Sequence, residues 1–333
     1  MGEFLEVPEG ATEDELVDLI LFGLSQVIQE NKLRPVDSET RIAKIAYDVS
    51  KNLDLPITRS WYKYGSYVWA GPTKKVNRLN QMLGLIQPEF PDPQILIRKA
   101  NTIWKVLHQR IKEEIFKHRL IQERNLSDFL MDLYRKEAPK EYRNIYINHR
   151  KMTSHFERLS TVDNTQLFIY PALRTASDDV TSFHRTMIDF PAPKELRELV
   201  IDFSTFLEDL IVQHDALLDD RNGLIRWQQF FSRAYDCYSQ KIWAYPASII
   251  ALQTVNGPSE KSVKNKCTEY LAGIKKDQLI VSDWVEDAFT NQVYPTKGSI
   301  ELSQQLLSKS GEPPHKAELK ELFTRMAVAK PRR

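Results

Sequence analysis

Glycine is scarce in this chain: eleven residues in 333, about 3% against a usual level of roughly 7%. No two lie closer than Gly65 and Gly71, so there is no GxGxxG and no GxxxxGK[ST]. Phosphate-cradling loops need several residues free to adopt positive φ, and their absence excludes dinucleotide-binding and P-loop architectures. The same scarcity argues against a sandwich or barrel with frequent turns. Cysteine is nearly missing too. Cys237 and Cys267 are the only two, which excludes a disulfide framework and a cysteine zinc cluster and fits a reducing cytoplasm. There is also no long apolar run. The longest uncharged stretch, Ile242–Ser259, is interrupted by Pro246, Gln253, Asn256 and Gly257, too polar to span a bilayer. The first residues are acidic (Glu3, Glu6, Glu9, Glu13, Asp14, Glu15), the reverse of a secretory leader. A soluble cytoplasmic protein with no membrane segment is expected.

What remains reads as helix almost throughout, and the expected fold class is all-α with at most one short hairpin. Thr12–Asn31 is a predicted helix with Thr12 and Glu15 in a capping box and a Leu16, Ile20, Leu24, Ile28 stripe. Asp37 or Ser38 caps a second helix that ends before Pro56. Residues 57–69, rich in aromatics, read as a short strand or an extended loop, and a third helix runs from Thr73 to about Ile86. Pro88, Pro91 and Pro93 form a stiff boundary. The expected domains are therefore a module at 12–90, a helical bundle at 93–257, and a loosely packed helical region with a frayed tail at 258–333. Within the bundle a long helix is predicted over about Gln94–Gln122, shorter ones over 126–136, 142–159 and 164–187, and two that pair. In the first of the pair Leu196, Val200, Phe203, Leu207, Leu210, His214 and Leu217 alternate at spacings of four and three until Gly223, a heptad-like seam. Trp227, Phe231, Ala234, Tyr238 and Ile242 form the return stripe, which Pro246 kinks or ends.

Catalytic signatures are weak. Adjacent His214 and Asp215 invite an HD-type, metal-dependent hydrolase with His184 and Asp202 recruited, but the seam places His214 in the core. The acids of residues 195–220 give no Glu-x-x-His, the only such spacing being Glu312–His315 with two prolines inside it. There is no GxSxG, and Cys237 sits between Tyr235 and Tyr238 on a helix. No cofactor, no metal and no catalytic residue is expected.

The most distinctive stretch runs Arg41-Ile-Ala-Lys44-Ile-Ala-Tyr47, then Leu55-Pro-Ile-Thr58, then Trp61-Tyr62-Lys63-Tyr64-Gly65-Ser66-Tyr67. A helix carrying Lys-x-x-Tyr followed by a YGPY-like aromatic turn resembles the Panacea antitoxin domain and small winged-helix regulators with the same arrangement, with Ser66 where those have proline. The resemblance covers the N-terminal module alone. It implies a non-catalytic regulatory or neutralising role, in a nucleic-acid-associated or defence-related complex. Physically, Trp61, Tyr62, Tyr64, Gly65 and Tyr67 are candidate partner-binding residues, because aromatic rings bring large contact area at low entropy cost. Arg59, Lys63, Lys74, Lys75 and Arg78 surround them, a mixture that also suits nucleic acid. A second surface is suggested by charge. Residues 93–151 hold fourteen bases and seven acids, whereas 195–220 hold eight acids and one base, so the two either dock or face separate partners. Arg98, Lys105, Lys112 and Arg119 recur every seven residues, a ridge with about 10.5 Å between members, expected to be exposed and to meet phosphate or an acidic partner.

Overall fold

The structure, a computed structural model, describes residues 6–72, 74–86, 102–118, 125–161, 173–216, 221–291 and 293, without the side chains of 173–175, 215, 216 and 221. It is all-α apart from one hairpin. The order is α1 (Glu13–Glu30), α2 (Glu39–Asn52), β1 (Arg59–Tyr62), β2 (Gly65–Val68), α3 (Lys75–Met82), α4 (Thr102–Lys117), α5 (Leu126–Glu137), α6 (Arg143–Thr161), α7 (Leu173–Ile188), α8 (Lys194–Ala216), α9 (Arg221–Cys237), a π-turn (Tyr238–Ile242), α10 (Ala244–Thr254), α11 (Glu260–Ala272), the single turn α12 (Ile274–Asp277) and α13 (Ile280–Thr290).

The capping box forms as read: the Thr12 hydroxyl accepts from Glu15 N–H, and the Glu15 carboxylate accepts from Thr12 N–H at 2.9 Å, a cap contributing about 1 kcal/mol. Ser38, rather than Asp37, caps α2. Helix α1 is buried along most of its surface and packs on α2, α3 and α4. Gly23 allows α4 to approach closely, since a Cβ there would lie 3.0 Å from Ile111 Cγ2 of α4. One apolar core runs without a break from Leu16 to Val293. The expected boundary near residue 90 is therefore not a gap between cores, because Leu107, Ile111 and Ile115 of α4 belong to the same core as α1. Beyond residue 258, α11 packs on α10 and α13 on α8. Val263 and Cys267 are buried with Ala251 and Val255 in a small satellite cluster.

The seam of α8 is core: Leu196, Val200, Phe203, Leu207, Leu210 and His214 are all buried, as are the return residues Trp227, Phe231, Ala234, Tyr238 and Ile242. Two stops differ from expectation. Gly223 lies in the first turn of α9 instead of ending α8. The return helix breaks at the π-turn, ahead of Pro246, where Trp243 N–H reaches back five residues to Tyr238 C=O at 2.8 Å. Helix α10 restarts at Ala244, so Pro246 falls in a first turn, where its missing N–H costs nothing. The first eight residues of α10 are all buried, which accounts for the uncharged run as core helix. Among the described residues no helix is long and apolar enough to cross a membrane.

Helix α4 stops short of the expected end near Gln122. It ends at Lys117, and His118 turns in so that its Nε2 lies 2.8 Å from Asp48 Oδ2 of α2.

The hairpin sits between these parts. Arg59↔Val68, Ser60↔Tyr67, Trp61↔Ser66 and Tyr62↔Gly65 are paired antiparallel. Gly65 takes φ +90° after the two-residue Lys63–Tyr64 turn, and a Cβ on it would lie 2.8 Å from Tyr134 Cε1 and 3.1 Å from Trp61 Cζ3. Backbone strain and overpacking both oppose a side chain there. Gly65→Ala is expected to lose roughly 2–3 kcal/mol, read from the denaturant midpoint, and an unshifted midpoint would contradict this seating of the turn.

Candidate functional site

Side chains alternate across the two strands, and the hairpin has two unlike faces. Inward, Trp61 is buried, its ring centroid 5.4 Å from that of Tyr146 and 6.4 Å from that of Tyr134. On the other face Tyr62, Tyr67 and Trp69 are each partly exposed and lie against one another, with centroids 5.8, 5.1 and 5.4 Å apart. The Trp69 indole N–H donates to Ser60 Oγ at 2.7 Å, and Lys75 Nζ stands 5.6 Å from the centre of the Tyr67 ring. The undersides of Tyr62 and Trp69 rest on the Ala251, Val255, Val263, Cys267 cluster. Burial pushes the Tyr62 hydroxyl up to about 12.

An isolated two-stranded hairpin is marginal in water; this one is fastened on every side. The Tyr146 hydroxyl donates to Tyr62 C=O at 2.6 Å, and the Trp243 indole N–H donates to Lys63 C=O at 2.7 Å. The Lys63 ammonium donates to Gln240 C=O in the π-turn, and Lys44 of α2 donates to Ser66 C=O. Along the outer edge of β1, Trp61 N–H donates to Thr254 Oγ1 at 2.9 Å, and Arg59 and Asn256 exchange backbone hydrogen bonds of 2.8 and 2.9 Å. Tyr64, at the tip, lies beside the Arg150–Glu157 ion pair (2.7 Å), and burial first, then the Glu157 charge, raises its hydroxyl.

Of the five aromatic-turn residues predicted from sequence, Tyr62 and Tyr67 share the accessible face. Trp61 leaves the partner-binding set because its ring is in the core, and Gly65 serves the turn beneath it. Tyr64 turns towards α6 and away from the other two. Trp69 was not among the predicted residues, though its spacing of two from Tyr67 puts both on one face of a strand. Most of the surrounding cations are used internally. Arg78 forms a two-pronged pair with Asp18 at 2.6 and 3.1 Å with only 3% of its side chain exposed, Lys63 is spent on the π-turn, and Lys75 is buried. Lys74 is exposed.

Two members of the basic ridge, Lys105 and Lys112, fall among the described residues. Arg98 and Arg119 lie outside the described residues, and α4 ends before position 119. Lys112 is 18% exposed and pairs with Glu30 of α1 at 2.6 Å; Lys105 is exposed. The basic and acidic segments pack on different neighbours, α4 on α1 and α2, and α8 on α7, α9 and α13.

His214 is 3% exposed and packs against Trp227 at 5.0 Å. His184 Nε2 lies 2.7 Å from Ser204 Oγ, and the Asp215 side chain is outside the described set. Among the described residues no group of three or more His, Cys, Asp or Glu side chains is placed to hold a metal ion.

A family model described as Domain of unknown function (DUF8098) matches residues 108–293. Nothing among curated proteins and nothing among solved structures matches the chain. The matched stretch supplies Tyr146, Gln240, Trp243, Thr254 and Asn256, five of the anchors that receive the hairpin, whereas Lys44 and the hairpin itself precede it.

Proposed function

In a chain that belongs to this family of unknown function, we propose a non-catalytic binding role: the hairpin presents Tyr62, Tyr67 and Trp69 as a rigid contact face for a protein partner. The protein then acts as a regulator, an antitoxin-like neutraliser or a subunit of a nucleic-acid-associated complex, in a reducing cytoplasm that keeps Cys237 and Cys267 as thiols. The observation that carries this reading is the combination of three mutually packed, partly exposed rings with a backbone pinned from α2, α6, the π-turn and α10. A face held in its bound geometry loses little entropy on association, and aromatic residues dominate interface energetics. A protein fits better than a polyanion, because Lys63, Lys75, Arg78 and Lys112 are engaged inside the molecule and phosphate binding needs cations free to release counterions.

The test is capture of partners from the native host by the wild type and by Tyr67→Ala, followed by calorimetric titration of each reconstituted pair. Tyr67→Ala is expected to weaken the complex at least tenfold, an interface loss of about 1.4 kcal/mol or more, with its helical circular dichroism unchanged. Equal affinity of the variant would sink the proposal. Salt-sensitive binding of a single-stranded 20-mer that Tyr67→Ala abolishes would replace the protein partner by nucleic acid.

A further inference from the structure

Lys44 is the most deeply buried Lys, Arg, Asp or Glu among the described residues. It is 1% exposed, in the middle of α2, and it donates to the carbonyl of Ser66 on the outer edge of β2. That edge lies against α2, so the lysine occupies the place where a third strand would pair. The Ser66 hydroxyl beside it is buried and has no hydrogen-bond partner among the described residues. A buried ammonium normally needs an opposite charge and full hydrogen bonding, and among the described residues Lys44 has one carbonyl acceptor and no ion-pair partner in contact. The surrounding elements supply few charges. Asp48, one turn along α2, is the charge that acts on it, and Asp48 itself bonds His118 at the end of α4 at 2.8 Å. Asp18 of α1 and Arg78 of α3 pair with each other, and Glu39 accepts from the backbone N–H groups of Lys75 and Val76. The hairpin contributes the Ser66 carbonyl and hydroxyl and, on β1, Arg59, whose charge acts on Tyr47 of α2.

We propose that Lys44 is a proton-operated latch on the hairpin: as an ammonium it grips the Ser66 carbonyl with a charge-assisted hydrogen bond, and as a neutral amine it grips more weakly and lets β2 shift against α2. The face built from Tyr62, Tyr67 and Trp69 rides on the same hairpin, so binding through that face is coupled to pH. This coupling rests on the proposed binding role, whereas the latch itself is a property of the free protein. The chemistry is a single proton exchanged with solvent, and charge-assisted hydrogen bonds are roughly twice as strong as neutral ones. Burial lowers the ammonium to about 7, and the Asp48 charge opposes that fall. Both states are accessible close to neutrality.

The experiment is an NMR titration of the free full-length protein carrying ¹³Cε-lysine and ¹⁵N-amide labels, in the wild type, Lys44→Met and Asp48→Asn. The Lys44 Cε resonance is expected to titrate near pH 7, with the Ser66, Tyr67 and Val68 amides sharing its midpoint. Asp48→Asn moves that midpoint to lower pH, and Lys44→Met abolishes the amide transition while keeping the helical circular dichroism. If Lys44→Met does not fold, the Asp48→Asn shift carries the test. A Lys44 midpoint above 9.5, amides that stay still between pH 6 and 8, or a midpoint indifferent to Asp48→Asn would each overturn the latch. None of these readouts uses a partner, so failure of the latch and failure of the binding role are separable.

Discussion

Trp243→Ala is expected to destabilise the protein by about 4 kcal/mol, the range for emptying a large aromatic from a packed core. The ring is fully buried and lies flat on His149, with centroids 3.6 Å apart and planes 12° from parallel. Tyr146 and Phe183 meet it edge-on at 6.3 and 6.1 Å. Its indole N–H is also the donor that holds Lys63 C=O at the hairpin tip. Alanine removes the packing on α6 and α7 and one fastening of the contact face together. Trp243→Phe separates the two effects: most of the stacking remains, the donor is lost, and a cost of about 1 kcal/mol is expected from the hydrogen bond alone. Denaturant midpoints and slopes for the two variants give the comparison. A Trp243→Ala loss below about 2 kcal/mol would show that the π-turn is not the keystone of this core.

Below pH 6.5, stability is expected to fall by about 1.4 kcal/mol per pH unit on account of His149 alone. Burial first, and the neighbouring Arg150 charge second, hold its pKa well below the ordinary histidine value. The sign follows from linkage. A depressed folded-state pKa gives stability that is fully present above the unfolded value. As pH drops through 6.5 the unfolded chain takes up a proton that the native core refuses, so the unfolded state gains until the folded pKa is reached. The rings around His149, those of Trp243, Phe183 and Tyr238, provide no carboxylate to receive the charge. His149→Phe is the check: urea unfolding between pH 7 and 5 keeps the contribution of the carboxylate pairs and loses one proton from the slope. Identical slopes in wild type and variant would assign the acid sensitivity elsewhere.

Local chemistry made the helices legible. Thr12 with Glu15, Pro56 after the second helix and the three–four spacing of Leu196 to His214 are signals carried by neighbours in the chain, and each corresponds to an observed cap, break or buried seam. The site was legible by half. Alternation along a strand separates Trp61 from Tyr62, but which of them faces the core is decided by Tyr134 and Tyr146, more than seventy positions downstream, and nothing near residue 61 records that. Lys112 shows the same limit. Its helical neighbours hold no acid, so it reads as a free cation, yet its partner Glu30 is 82 residues upstream. The π-turn left only an indirect trace, since residues 238–242 continue the helical stripe and Pro246 marks the vicinity of the break without its form.

The distances along the chain between the hairpin and its anchors have a consequence for synthesis. Lys63 and Gln240 are 177 residues apart, and Trp61 and Thr254 are 193 apart. At about 5–20 residues per second, strands that are already outside the ribosome wait roughly ten to forty seconds for the segment that completes their seat. During that interval the ladder of β1 and β2 stands with Trp61 and the Lys63 carbonyl unplaced, as a pair too short to persist alone. Contacts of such long range also slow the final folding step relative to the local helices. A nascent chain stopped before residue 240 would therefore carry the aromatic turn in its least protected condition, and the arrival of residues 240–256 is the moment at which that turn becomes a surface.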